Sequence, residues 1–301
     1  MANSSRIGLI GLDTSHVTIF TKILNDPSDP HHVPGGKVVV GHHPGGSDDF
    51  ALSHARAPKF TAELKDSFGV KIVDSIEAVA ENCDLIFIES VDGRVHRQQF
   101  DRVVKFGKPV FVDKPFALNS ADAKYMFDAA SKTNIPLMSA SSLRYFDVAV
   151  EAIGDGKDIV GCDAYGPMGE EPTQPGLFWY GIHTIEMIVA AMGVGCSEVR
   201  AFKNENTDMV TFIWRDGRVA SLHGVRNAHG KFGLTVHRKD DVRVADPEKS
   251  KKPYYAGLVE AIMRSLPAGK SDIPAEQTLE IIRMIEAANE SRRSGRAVTL
   301  A

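Results

Sequence analysis

The run Gly107-Lys108-Pro109-Val110-Phe111-Val112-Asp113-Lys114-Pro115-Phe116-Ala117-Leu118 decides how this chain folds. Its apolar centre, residues 109–112, reads as a strand that delivers an acid, a lysine and a proline to its carboxyl end. A helix over residues 120–133, capped by Asn119 or Ser120, follows at once. In an open α/β sheet, ligands sit beyond the carboxyl ends of the strands, so a lysine held there is a candidate for chemistry. Pro115 restricts Lys114 to extended backbone and so sets where its side chain can point. Taken alone, Asp-Lys-Pro is a surface lysine at a strand end, and the flanking sequence is what changes that reading.

Strands and helices alternate on both sides of this run. Strands are expected at residues 6–12, 37–41, 71–73, 85–88 and 135–140, and helical pieces at 15–25, 49–55, 62–68, 75–81 and 95–106. Ser75 is the expected N-cap of one helix and Gly107 the stop of another. Alternation of this kind, with right-handed crossovers, makes an α/β, Rossmann-like doubly wound parallel sheet over residues 1–143. Residues 144–301 change character. Strand-like segments at 198–203, 209–215, 219–225 and 233–237 come close together, two of them joined by Asp216-Gly217, a hairpin signal. Helices at 182–192, 254–266 and 275–295 complete an α+β domain with a mostly antiparallel sheet.

Composition bounds the function. The formal charge of −4 gives no electrostatic reason to expect nucleic acid or an anionic membrane as partner. No run of apolar residues is long enough to span a bilayer. Cys83, Cys162 and Cys196 are three and widely separated, which fits reduced thiols in a cytoplasmic protein better than a disulfide framework.

Four stretches in order carry a resemblance to a known family. They are the βαβ opening at Gly11, the apolar Asp84-Leu85-Ile86-Phe87-Ile88 followed by His96, then Asp113-Lys114-Pro115, then Gly181-Ile182-His183-Thr184-Ile185-Glu186. In this order the chain resembles the Gfo/Idh/MocA family of nicotinamide-dependent sugar and cyclitol oxidoreductases. The resemblance implies NAD or NADP as cofactor and a small sugar, cyclitol or polyol as substrate. It also implies Lys114 as catalytic acid/base, with His183 as its partner.

The cofactor loop departs from the family pattern. Dinucleotide folds need glycines for the tight turn, for close approach of the pyrophosphate and for helix packing. The register here is Gly11-Leu12-Asp13-Thr14-Ser15-His16, with Asp13 and His16 in the second and third glycine places. A carboxylate about 5 Å from a phosphate is repelled by roughly 3 kcal/mol at an effective dielectric of about 20. Asp13 must therefore turn away, pair with a cation such as His16, cap the helix amides beside Ser15, or meet a different ligand. Gly11, Asp13, Thr14, Ser15, His16, His42, His96, Asp113 and Lys114 are the expected cofactor-binding set. At the end of the second strand, where an acid would read the ribose of NAD, stand His42 and His43. With residues 45–47 they cradle a phosphate or form a plain surface loop. His16, His42, His43 and His96 follow no standard metal-ligand spacing, and no metal is expected.

On the substrate side, Arg144 binds a substrate oxygen or braces the domain junction. Trp179 and Tyr180, with Phe178, offer flat faces on which a sugar ring can stack. Trp179 stands where the family commonly has an acid. Glu186, three residues after His183, can reach the imidazole from the same helix face, and Tyr180 or Glu186 could replace that acid. The expected activity is hydride transfer between the nicotinamide and a polyol. Glycoside cleavage or elimination without net redox is one alternative, and a non-catalytic ligand-binding or regulatory protein on the same scaffold is the other. The antiparallel sheet is the expected face of a homodimer or homotetramer.

Overall fold

The computed structural model describes residues 4–228 and 230–300. In chain order the first elements are β1 (Ser5–Ile10), α1 (His16–Asn25), β2 (Gly36–His42), α2 (Leu52–Ala55), α3 (Ala57–Phe68), β3 (Lys71–Ile72) and α4 (Ile76–Glu81). β4 (Leu85–Ile88), α5 (His96–Val103), β5 (Val110–Val112), α6 (Ser120–Lys132) and β6 (Leu137–Met138) follow. The later part holds α7 (Asp147–Ile153), β7 (Ile159–Pro167), α8 (Gly181–Met192), β8 (Cys196–Lys203), β9 (Thr207–Trp214) and β10 (Val219–Val225). It ends with β11 (Gly233–Arg238), β12 (Val242–Ala245), α9 (Tyr254–Ser265), α10 (Ala275–Ser294) and β13 (Val298–Thr299).

The chain divides into two compact units. The first runs through Ala117 and takes in Ala121–Ala140 and Tyr255–Pro274. Its sheet has the order β3-β2-β1-β4-β5-β6, every pair parallel. This is the strand order of a doubly wound dinucleotide fold. The central strands are apolar throughout because both faces are covered: Leu85, Ile86, Phe87, Ile88, Val110, Phe111 and Val112 are all buried. Ser75 caps α4 as its sequence suggests, its Oγ accepting the Ala78 N–H at 3.0 Å. The helix expected up to residue 106 ends earlier as α5. A tighter turn over Val104–Phe106 then stops at Gly107 with φ +66°. The return of Tyr255–Pro274 to this unit lies beyond the sequence division at 143. Its cause is packing: a Cβ on Gly36 would fall 2.6 Å from Met263 Cε, so the bare glycine is what lets α9 settle on β2.

The second unit comprises Leu118–Ser120, Ser141–Tyr254 and the chain from Ala275. Its sheet has the order β12-β11-β7-β10-β9-β8-β13 and is antiparallel except for the β7–β10 pair. Asp216-Gly217 turns β9 into β10 as expected, with Gly217 at φ +86°. Strand β7, in the interior of the sheet, was not expected, because its glycines and terminal proline break up the apolar pattern of Ile159, Cys162 and Ala164. One face of the sheet buries Val199, Val210, Phe212, Trp214 and Leu222, and α8 and α10 pack against the sheet. Tyr165, Phe202 and Met209 stay exposed. Glu280 ties α10 to the start of β8 by accepting the N–H groups of Gly195 and Cys196 at 2.7 and 2.6 Å. Among the described residues, no helix is long and apolar enough to cross a membrane. All three cysteines are free and buried.

Candidate functional site

Register builds the first half of the site. Ile10, Ile88 and Val112 lie side by side across β1, β4 and β5, so the next residues, Gly11, Glu89 and Asp113, form one row beyond the strand ends. The backbone continues the sheet through this row, Glu89 N–H donating to Ile10 O at 2.7 Å and Asp113 N–H to Ile88 O at 2.8 Å. Gly11 is obligatory here. Its φ is +84°, and a Cβ would lie 2.3 Å from Ser90 Oγ.

Asp13 and His16, the two residues that replace glycines, turn their side chains into the fold. Asp13 is buried and accepts the Val91 N–H at 2.9 Å. It neither caps α1 nor pairs with His16, contrary to two of the expected alternatives. Burial pushes its pKa up to about 7, with the Val91 N–H opposing. The N-cap residue Ser15 makes no side-chain cap either, and the His16 N–H instead reaches Thr14 Oγ1 at 3.5 Å. The first turn of α1 carries no acid of its own. His16 Nδ1 meets Asp113 Oδ2 at 2.6 Å, and its ring stacks on Phe20 and meets the edge of Tyr255.

Lys114 follows directly, its N–H bonded to Asp113 Oδ1 at 2.8 Å and its peptide bond to Pro115 cis. Burial lowers its pKa against the opposing pull of Asp113. Burial alone would raise the Asp113 carboxyl, but His16 and Lys114 hold it below the ordinary aspartate value. Glu89 was missed by the sequence analysis. It is buried completely, and burial first, then Asp113 and Asp13, push its pKa well above the usual range. An acid immediately after the all-apolar Leu85–Ile88 was the available signal. His96 is also fully buried, its ring spanning from Ser90 O at 2.7 Å to Pro115 O at 2.8 Å. It clamps the Lys114-Pro115 segment to the end of β4, and burial lowers its pKa.

The loop after β2 is tied to its own surroundings. His42 Nδ1 bonds the Val73 carbonyl at 2.8 Å, so its ring is committed to the backbone at the end of β3. His43 Nδ1 accepts the Leu12 N–H at 3.3 Å, and burial lowers its pKa. Ser47 Oγ donates to the buried Asp92 at 2.6 Å. An open cleft of about 490 Å³ lies beside this loop, lined by His43, Gly45, Gly46, His54, Pro58 and Lys65 among others.

The remaining expected residues belong to the second unit. His183, in the first turn of α8, has its Nδ1 2.7 Å from Ser141 Oγ and its ring edge-on to Tyr180 and Phe232. Glu186 does not serve as its expected partner. The buried Glu186 carboxylate is held by Arg144 Nη1 at 3.0 Å, and burial raises its pKa despite that cation. Arg144 also donates to Gln277, which makes it a tie between α8 and α10 and not a free substrate contact. Phe178 is core, whereas Trp179 and Tyr180 are half-buried and pack edge to face.

Residues 45–141 match the family model GFO_IDH_MocA, described as an oxidoreductase family with an NAD-binding Rossmann fold. Over this stretch, about a third of the chain, the protein is similar to the Gfo/Idh/MocA oxidoreductases. The match starts downstream of residues 11–16, the glycine loop that Asp13 and His16 alter. A trans-1,2-dihydrobenzene-1,2-diol dehydrogenase from Xenopus laevis is 35% identical over 99 residues, 30% of each chain. An uncharacterized oxidoreductase from Streptococcus pneumoniae is 25% identical over 128 residues, 40% of this chain and 35% of the relative. The chain thus spans about a third of the length of these curated relatives. Two solved structures share the fold over nearly the whole chain. GenD2 from gentamicin A biosynthesis, in complex with NAD, superposes with TM-score 0.81 at 15% identity, covering 100% of this chain and 97% of its own. Myo-inositol 2-dehydrogenase from Lactobacillus plantarum gives 0.80 at 17% identity, covering 99% and 100%.

Proposed function

We propose that this chain is a nicotinamide-dependent dehydrogenase of a cyclitol, sugar or related polyol, with Lys114 as its acid/base. The observation that carries the reading is Lys114 itself. It ends a central strand of a Gfo/Idh/MocA Rossmann unit, and burial lowers its pKa toward the range where a neutral amine can take a proton.

The residues at the strand ends fit a dinucleotide in part. Gly11 makes the turn, and the first turn of α1 has no acid and no N-cap side chain bonded to it, so its amides suit a pyrophosphate. Asp13 and His16 point inward, which keeps their side chains off the outer surface of the loop but leaves negative charge beneath it. Gly11, Thr14 and Ser15 would hold the pyrophosphate, and the cleft beside Gly45, Gly46 and Lys65 would take the adenosine end. Bound there, the nicotinamide would accept hydride from the substrate carbon or return it. Lys114 would remove the hydroxyl proton as the carbonyl forms, and Asp113 and His96 would keep the lysine in place through Lys114 N–H and Pro115 O. Within the second unit, His183, its ring bonded to Ser141, and the faces of Trp179 and Tyr180 are the residues whose chemistry suits a polyol. The uncovered face of the second sheet, with Tyr165, Phe202 and Met209, supports a homodimer or homotetramer.

Fluorescence titration with NADH and with NADPH, followed by assay of a cyclitol and sugar panel, tests the reading. Binding of one of them, with turnover of a panel member, is the expected result. Absence of binding by the folded protein would move it to a cofactor-free role.

A further inference from the structure

Three potential ligand atoms converge beneath the glycine loop. His16 Nδ1, an oxygen of Asp113 and an oxygen of Glu89 lie within 4.8 Å of one another, and all three side chains are buried. Each comes from a different strand end: His16 starts the helix after β1, Glu89 follows β4 and Asp113 follows β5. His16 and Asp113 already touch at 2.6 Å. Glu89 does not share in that contact. Both of its oxygens are buried, and among the described residues no hydrogen bond reaches either one.

A carboxylate sealed from water without a donor is costly, and a second carboxylate in the same pocket compounds the cost. The row formed by Gly11, Glu89 and Asp113 therefore sets two buried carboxylates against His16, with Lys114 acting on both electrostatically but no donor on Glu89. We propose that His16, Glu89 and Asp113 bind one divalent transition-metal ion, with zinc the best match. One imidazole and two carboxylates form a borderline donor set that suits zinc, iron or manganese, and the imidazole disfavours calcium and magnesium. Bonds of about 2.1 Å place ligand atoms about 3.4 Å apart around a tetrahedral ion, so a small adjustment of these side chains closes the site. Three protein ligands leave a fourth position open, as in catalytic zinc sites.

The same residues account for the altered loop. His16 stands where the third glycine of a dinucleotide loop would be, so the substitution that breaks the loop also supplies the only nitrogen ligand. The assignment does not depend on the dehydrogenase reading, because metal uptake is measured without any nicotinamide.

The test uses the full chain, stripped with EDTA and then titrated with Zn²⁺, and separately with Co²⁺. Elemental analysis after dialysis is expected to find one ion per chain, with a rise in melting temperature on Zn²⁺ addition. Co²⁺ is expected to give the visible absorption of a low-coordinate nitrogen and oxygen site. Glu89→Gln, nearly isosteric, is expected to weaken Zn²⁺ binding by at least about 100-fold, since even outer-shell losses cost about 10–100-fold. His16→Asn is expected to abolish the cobalt band. Wild-type protein that takes up neither ion, or a Glu89→Gln variant that binds Zn²⁺ as well as wild type, overturns the proposal.

Discussion

Each unit of this protein buries a glutamate, and the two are treated differently. Glu186 on α8 sits against Arg144 at 3.0 Å, and Arg144 reaches on to Gln277, so charge and counter-charge are both supplied by the second unit. Glu89 at the end of β4 is buried at least as deeply, yet its oxygens have no hydrogen-bond donor. Burial raises the pKa of both. A buried acid that brings its own arginine is part of the framework. A buried acid left without a donor beside a histidine and a second acid is the arrangement on which the metal proposal rests. The contrast favours the row beyond β1, β4 and β5 as the place of the proposed chemistry, whereas Arg144 bonds Glu186 of α8 and Gln277 of α10.

The largest expected effect tests where the chemistry lies. Lys114→Met should lower turnover of any polyol substrate by about 10²–10⁴, the usual cost of removing a general acid/base, while leaving NADH affinity nearly unchanged. Full activity in this variant, assayed by hydride transfer to NAD⁺, would take the reaction away from the strand ends.

Next in size is the framework pair. Arg144→Met leaves the Glu186 charge buried and uncompensated, and should cost about 3–5 kcal/mol in urea unfolding. Glu89→Gln in EDTA-treated protein should be neutral or stabilising, since burial already favours the uncharged form of Glu89 and no hydrogen bond to it is lost. Equal destabilisation by the two substitutions would erase the distinction between the glutamates.

The pH dependence sharpens it further. The Asp13 pKa is raised from 3.8 to about 7 in the folded protein, so the native state binds the extra proton between those values. Stability from this group is therefore fully present below about pH 4 and falls as pH rises toward 7, by at most about 1.4 kcal/mol per pH unit. Thermal unfolding of Asp13→Asn in the absence of metal should show a flatter profile over that window. The asparagine keeps an acceptor for the Val91 N–H, and loss of charge should tighten NADH binding by up to about tenfold. Unchanged pH dependence would mean that the Asp13 carboxylate stays ionised in the fold.

The smallest effect concerns a cap remote from either glutamate. Ser75→Ala removes the acceptor for the Ala78 N–H and should cost about 1 kcal/mol in chemical denaturation, with no change in metal uptake or turnover. A loss of uptake in this variant would show that the metal response reports general stability.

Much of the fold was legible because its signals are local. The apolar runs of β4 and β5, Ser75, Gly107 and Asp216-Gly217 act within a few residues, and each lies where the sequence puts it. Strand β7 was illegible for the opposite reason. Its glycines and proline read as loop until β10 and β11 pair with its two edges. At the site, Lys114, His16 and Asp113 were legible as chemistry-bearing residues at strand ends, but their partners were not. Helical spacing put Glu186 beside His183, whereas it went to Arg144, an arginine 42 residues away.

The sequence by itself determined the alternation of strands and helices, the turns and caps, and the delivery of Lys114 to the end of a buried strand, since these depend on spacing and local backbone preference. Only the tertiary structure decided which polar groups meet. Strand register places Gly11, Glu89 and Asp113 in one row, and burial turns Asp13 and His16 inward. Both depend on contacts between residues as many as 97 positions apart, from His16 to Asp113, which no local pattern encodes.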